Sequence, residues 1–326
     1  VSAGPIWISE ADVTSLVTLK DAHASLEQGL RWEGEGKAHN VPKALGRWPN
    51  GVMHCLGAMF PDEGFIGWKT WAITPAGGGV TYELFDANKG ALLAVIEAIA
   101  LGQLRTAAMT GIGTDWLAAP DADRLAIIGA GRQALAQVAA IAAVRPLKQV
   151  TVFSRGAEKR ETFAATLRQN FSFEVSTVDT VESATAEASI VTLVTRAEQP
   201  FLAAAMLRKG AHLNAVGAIL PTHAEFKSDV FARTDLIAVD SVADVRKNSR
   251  EFIEQFGHED SASVRSIAAV INAGVRRPAA TDLSLFKSMG MGISDLSVAS
   301  EVYRRAIARG MGRPIPAIQP SRIRWS

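Results

Sequence analysis

The sequence predicts an α/β protein in two parts, an α+β domain followed by a Rossmann domain with a mainly parallel sheet. Three observations carry this expectation. From residue 123 onward short apolar runs alternate with helical patterns, as in a parallel sheet with right-handed crossovers. Before that point helical spacing and strand-like runs are mixed, which suits an antiparallel sheet with a helix against it. At the first strand-to-helix turn of the alternating part stands Gly129-Ala130-Gly131-Arg132-Gln133-Ala134, a G-x-G-x-x-A fingerprint.

In chain order, residues 10–33 place Leu16, Val17, Leu19, Ala22, Leu26 and Leu30 at helical spacing and predict one amphipathic helix. Residues 50–58, 64–74 and 81–86 read as strands, with residues 62–64, 77–79 and 88–90 as turns. The helical period returns over 101–118 and is broken by Ala119-Pro120-Asp121-Ala122-Asp123, which sets the expected domain boundary. Strands at 125–128 and 149–153 and helices at 133–143 and 158–169 follow, then apolar runs at 189–194, 212–216 and 236–239. A last helix at 293–309 precedes a tail in which Pro314, Pro316 and Pro320 favour an extended strap. The expected domains are residues 1–119 and 120–299, with 300–326 folding back on the first.

The 326 residues are enough for two such domains. Lys and Arg number 34 against 33 Asp and Glu, so no global field draws nucleic acid or an anionic membrane, and the basic residues form no run. Apolar stretches fall short of a membrane span, no signal-peptide pattern opens the chain, and the one cysteine, Cys55, suits a reducing compartment. The expectation is a soluble, cytoplasmic protein. The six histidines show no ligand-like spacing with cysteine or carboxylate, so no metal is expected.

The fingerprint points to a nicotinamide dinucleotide. Gly129 allows the tight turn, Gly131 lets backbone approach a pyrophosphate, and Ala134 keeps the helix close to the sheet. The pyrophosphate would meet the unpaired N–H groups of the helix start, with Ala130, Arg132 and Gln133 around it. At the end of the next strand an acid would bind the ribose hydroxyl of NAD. Here stand Ser154 and Arg155, with Lys159 and Arg160 beyond. An arginine fork suits a 2′-phosphate, so NADPH is favoured, with NADH as the alternative. Thr195, Val216 and Gly217 follow later predicted strands at the edge where such sheets bind ligands, and are assigned to the cofactor.

The chain also resembles the ornithine cyclodeaminase/mu-crystallin family. The resemblance rests on residues 104–108 (Leu-Arg-Thr-Ala-Ala), 126–131 (Ala-Ile-Ile-Gly-Ala-Gly), 212–217 (His-Leu-Asn-Ala-Val-Gly), 239–241 (Val-Asp-Ser) and 285–291 (Leu-Phe-Lys-Ser-Met-Gly-Met), spread in order over about two-thirds of the chain. It implies a homodimer whose first domain supplies both the dimer interface and much of the substrate site. It also implies hydride transfer between nicotinamide and the α-carbon of a small amino or imino acid.

By that resemblance Lys69 is the active-site lysine, although the local pattern alone would make it a surface residue of an alternating strand. Arg105 is the arginine that clamps the substrate carboxylate, and Arg105 and Thr106 lie beside the cofactor. Lys43, after Pro42, is the nearest counterpart of a second carboxylate-binding arginine, with Arg47 the other candidate. His223 stands where the cyclodeaminase binds substrate with a lysine, and an exposed loop histidine is the competing reading.

Gly57 and Ile219 appear where the cyclodeaminase has acids. Without a base to activate amine and water, ring-closing deamination is disfavoured. The expected activity is therefore NAD(P)H-dependent reduction of a 2-imino acid, as in the ketimine reductase-like members, such as pyrroline- or piperideine-2-carboxylate. An amino acid or opine-type dehydrogenase, or a non-catalytic NADPH-binding protein, are the alternatives.

Overall fold

The computed structural model of the chain describes residues 4–259, 261–316 and 319–325. Its first part runs β1 (Ile6–Ile8), α1 (Glu10–Leu16), α2 (Leu19–Gly34), β2 (His39–Trp48), β3 (Gly51–Phe60), β4 (Phe65–Thr74), β5 (Gly77–Asp86), β6 (Leu92–Glu97) and α3 (Ile99–Leu117). The second part continues β7 (Arg124–Ile128), α4 (Ala134–Ala142), β8 (Gln149–Phe153), α5 (Ala157–Asn170), β9 (Glu174–Thr177), α6 (Val181–Thr185), β10 (Ile190–Leu193) and β11 (His212–Ala215). It ends with α7 (Asp229–Arg233), β12 (Thr234–Val239), α8 (Val242–Asn248), α9 (Arg250–Phe256), β13 (Val264–Ser266), α10 (Ile267–Ala273), β14 (Leu283–Lys287), α11 (Gly292–Arg309) and β15 (Arg313–Pro314).

The single helix expected over 10–33 is two. Thr18 accepts a hydrogen bond from the Asp21 backbone N–H while the Asp21 carboxylate accepts from the Thr18 N–H, and this capping box starts α2 afresh. Residues 77–79 are strand rather than turn. Thr74 pairs directly with Gly77, so the reversal is Pro75-Ala76, and a side chain at Gly78 would strike the Ala72 carbonyl oxygen at 2.5 Å. Strand β2 was not expected because Pro42 interrupts it. It survives as an edge strand, with a bulge between Val41 and Ala44 at the proline.

The first sheet has the order β15-β1-β6-β5-β4-β3-β2. One face packs on α2, α3 and α11 through Leu26, Leu30, Phe60, Tyr82, Ile112, Ile293 and Leu296. The opposite face presents Trp48, Met53, Met59 and Trp68 to solvent. Helix α11 contributes to this first core from Ile293 onward, and the strap beyond it pairs with β1 and donates from Ile315 N–H to the Pro5 carbonyl.

The second sheet, β13-β12-β14-β11-β10-β7-β8-β9, is parallel throughout and carries apolar clusters on both faces. The order reverses between β7 and β10, the crevice where doubly wound sheets bind ligands. No helix among the described residues is long and apolar enough to cross a membrane.

Candidate active site

Gly129 directly follows β7 with φ +118, a conformation that L side chains rarely adopt. A Cβ there would also sit 2.8 Å from the Val194 carbonyl oxygen, so the β7 and β10 turns touch at this glycine. A Cβ at Gly131 would meet nothing within 4 Å, so open space faces its backbone. Helix α4 then starts without a side-chain cap; the Ala134 N–H donates to the Gly131 carbonyl, and Ala134 itself is fully buried against the sheet. Ala130 and Gln133 are half-buried and Arg132 is exposed in this turn. The residues present fit a dinucleotide pyrophosphate.

After β8, Ser154 is half-buried and Arg155 and Lys159 are exposed. Arg160 is already committed: it donates to the Ser154 carbonyl and to Asp179. Among the described residues neither Arg155 nor Lys159 makes an ion pair, so both are free to meet an anion beyond Ser154.

The loops after β10 and β11 are joined by one residue absent from the sequence reading. The buried Glu225 carboxylate accepts from Thr195 N–H and Oγ1 on one oxygen, and from Gly217 and Ala218 N–H on the other. Val216 N–H donates to the Leu193 carbonyl and so extends the ladder between those strands.

The second half of the site is built by the first sheet and two helices. Lys69 lies on β4 opposite Leu56 of β3 and Tyr82 of β5. Its side chain is 5% exposed, and Nζ donates to Asp295 Oδ1 at 2.6 Å. Arg105, on α3, brings Nε to 3.2 Å from the same oxygen. Asp295 is fully buried near the start of α11, 226 positions from Lys69. It was missed because an acid in a first helical turn usually serves the helix dipole. Burial, and next the Arg105 charge, push the Lys69 ammonium down to about 8, against the pull of Asp295.

The Lys69 ammonium also stands 4.9 Å from the Trp71 ring centroid, and Trp71 stacks on His54 at 4.6 Å. Burial, then Lys43, Arg47 and Lys69, push the His54 imidazole down to about 4, so it is neutral near pH 7. Lys43 is half-buried on β2; burial lowers its ammonium while Asp244, Asp240 and Asp295 oppose and Arg105 adds to the shift. It therefore belongs to this charge cluster. Arg47 is exposed, and its charge helps lower the His54 imidazole.

Residues 285–291 shape the floor under Arg105. Asp240 accepts from Ser288 Oγ and from the Met289 and Gly290 N–H groups. Gly290, at φ +81, leaves room for the guanidinium, which a Cβ would approach to 3.0 Å. Thr106 is half-buried and donates to the Gly102 carbonyl.

His223 is in the loop after β11 and hydrogen-bonds Thr222, not Lys69, Arg105 or Lys43. Gly57 pairs with Trp68 on the face of the sheet away from Lys69, and a Cβ there would press on the Trp68 ring at 2.7 Å. The β3 residue opposite Lys69 is the apolar Leu56, so β3 places no carboxylate there. Ile219 packs against the apolar cluster of the second sheet.

A family model, the ornithine cyclodeaminase/mu-crystallin family, matches residues 5–310. The chain belongs to that family. Among curated relatives, a Delta(1)-pyrroline-2-carboxylate reductase of Bacillus cereus is 31% identical over 236 residues, 71% of this chain and 72% of that one. The ketimine reductase mu-crystallin of Mus musculus is 32% identical over 220 residues, 68% of this chain and 67% of that one. Among solved structures, Thermococcus litoralis Delta(1)-pyrroline-2-carboxylate reductase in complex with NADH and L-proline matches with a TM-score of 0.89. That structure is 26% identical and covers 95% of this chain and 100% of its own. An archaeal alanine dehydrogenase shares the fold, with a TM-score of 0.88 and 23% identity over 97% of this chain and 99% of that one.

Proposed function

We propose that this family member is an NAD(P)H-dependent oxidoreductase that reduces the C=N bond of a small 2-imino acid, of the pyrroline- or piperideine-2-carboxylate kind. The carrying observation is that Lys69 and Arg105, from different elements, converge on one buried carboxylate. Two cations against one Asp295 leave a net positive charge for a substrate carboxylate, and Lys43 adds to it. A bidentate arginine contact fixes the α-carbon in place. When bound, the reduced nicotinamide supplies the hydride to that carbon.

An ammonium lowered to about 8 still carries its proton at neutral pH and gives it up readily. Lys69 is thus suited to hold a proton at the imine nitrogen, which makes the carbon electrophilic. The Bacillus pyrroline-2-carboxylate reductase and the mouse ketimine reductase support the same chemistry. Asp295 does not reinstate ring-closing deamination, because both cations already engage it. The test is loss of reduced-cofactor absorbance with cyclic ketimines; no turnover with any ketimine, or with a 2-oxo acid and an amine, would overturn the reading.

NADPH is the preferred cofactor in this proposal, because Arg155 and Lys159 are the unpaired cations after β8. Exchanging Arg155 for aspartate should lower kcat/KM for NADPH by about tenfold or more, the scale of a hydrogen bond to a charged group, and spare NADH. Equal losses with both cofactors would contradict it.

The exposed face with Trp48, Met53, Met59 and Trp68 is the proposed homodimer interface, since apolar patches of this kind mark association sites. Sedimentation at micromolar concentration should give twice the chain mass, and a monomer would refute it.

A further inference from the structure

We infer that Glu225 is a positioning residue that sets the loops flanking the dinucleotide site; this rests on the dinucleotide reading above, and not on the identity of the substrate. Its carboxylate receives four donors, two from Thr195 and one each from Gly217 and Ala218, at 2.7 to 3.0 Å. That arrangement joins the loop after β10 to the loop after β11. It also closes residues 217–225 at their base, because the residue that ends the segment binds the N–H groups that begin it. Ile219 and His223 are carried on the segment so closed.

The fit is tight. A Cβ at Gly217 would lie 2.2 Å from the Thr195 carbonyl oxygen and 2.5 Å from the Glu225 carboxylate. The same β10 turn meets Gly129 through Val194, so a displacement here is felt at the fingerprint.

Glu225 is itself held from below. Its N–H donates to Glu251 Oε1, while its carbonyl accepts from the Phe201 and Leu202 N–H groups. Lys287 Nζ donates to the Ala218 carbonyl at 2.6 Å and lies 3.4 Å from Glu251 Oε1. Both carboxylates and the ammonium are buried, so each must keep its partners. Only an ionised carboxylate offers acceptors on both oxygens to four donors. An amide would set its own N–H groups against two of them.

The experiment is a fluorescence titration of reduced cofactor into the full-length protein, with steady-state kinetics and thermal unfolding on the same samples. Glu225→Gln should raise the cofactor Kd by about tenfold or more and raise the cofactor KM more than it lowers kcat. Thr195→Val removes one donor without touching Glu225 and should move Kd in the same direction, whereas Thr195→Ser should restore it. Because Thr195 is itself expected beside the cofactor, Glu225→Asp, which keeps the charge on a shorter stem and should also raise Kd, answers the question if Glu225→Gln fails to fold. A lowered unfolding temperature with unchanged cofactor Kd in the folded fraction, or equal Kd for Thr195→Val and Thr195→Ser, would overturn the positioning role. Absence of cofactor binding by the unaltered protein would instead overturn the dinucleotide reading itself.

Discussion

Exchanging Asp295 for alanine is expected to lower kcat/KM by about a hundredfold or more and to destabilise the protein by about 3–5 kcal/mol. The second figure is the usual cost of removing one partner from a buried ion pair, because the charge left behind has neither water nor counter-ion. Here two cations would be left, Lys69 with 5% and Arg105 with 14% of the side chain exposed. The first figure follows from geometry. Asp295 Oδ1 fixes the ammonium and guanidinium relative to each other, and a misplacement of about 1 Å can cost about a hundredfold in rate. Asp295→Asn separates the effects. The amide keeps an oxygen for one cation and preserves volume, so stability should suffer less than with alanine while activity stays low. Thermal unfolding and steady-state kinetics on the two variants check this, and a near-unaltered kcat/KM for Asp295→Asn would remove Asp295 from the site.

Asp295 also shows where sequence reasoning reached its limit. The parallel sheet was legible because its strands and helices differ in hydrophobic period and because Gly129 and Gly131 stand at the one turn that needs them. Strand β8 was located to the residue, and β7, α4, α5 and α11 to within one or two. The first sheet was harder to read. Pro42 and Gly46 hide β2, and the three glycines 77–79 look like a turn, although they belong to β5, where Gly78 lets Ala72 and Ile73 come close. Lys69 and Arg105 were recognisable only through family resemblance, since a lone lysine on a strand and a lone arginine on a helix have no local signature. Asp295 and Glu225 carry still less. Their meaning lies in partners from distant elements, Asp295 with β4 and α3, and Glu225 with two loops of the other sheet. Residues 285–291, part of the family resemblance, brace Asp240 and Glu251 through Lys287, Ser288, Met289 and Gly290, and at Gly290 leave room for the Arg105 guanidinium.

Lys69→Met is expected to lower kcat/KM by about a thousandfold, within the span usual for loss of a general acid, with the loss of a carboxylate contact added. The pH dependence makes the assignment specific. Lys69 is depressed from the ordinary lysine value to about 8, chiefly by burial and then by Arg105. The proton-bearing form therefore predominates below that pH and disappears as pH rises through it. Imine reduction should be level on the acidic side of 8 and then fall by about tenfold per pH unit above it, as for loss of one required proton. Arg105→Lys should lower the plateau, since it replaces a planar fork by a point charge, and should leave the limb in place. Lys69→Arg tests the proton separately from the charge. It keeps a cation beside Asp295 that cannot deprotonate in this range, so substrate KM should be largely retained, kcat should fall, and the limb near 8 should vanish. A limb unmoved in Lys69→Arg would assign the required proton to another group, with the substrate imine itself first in line.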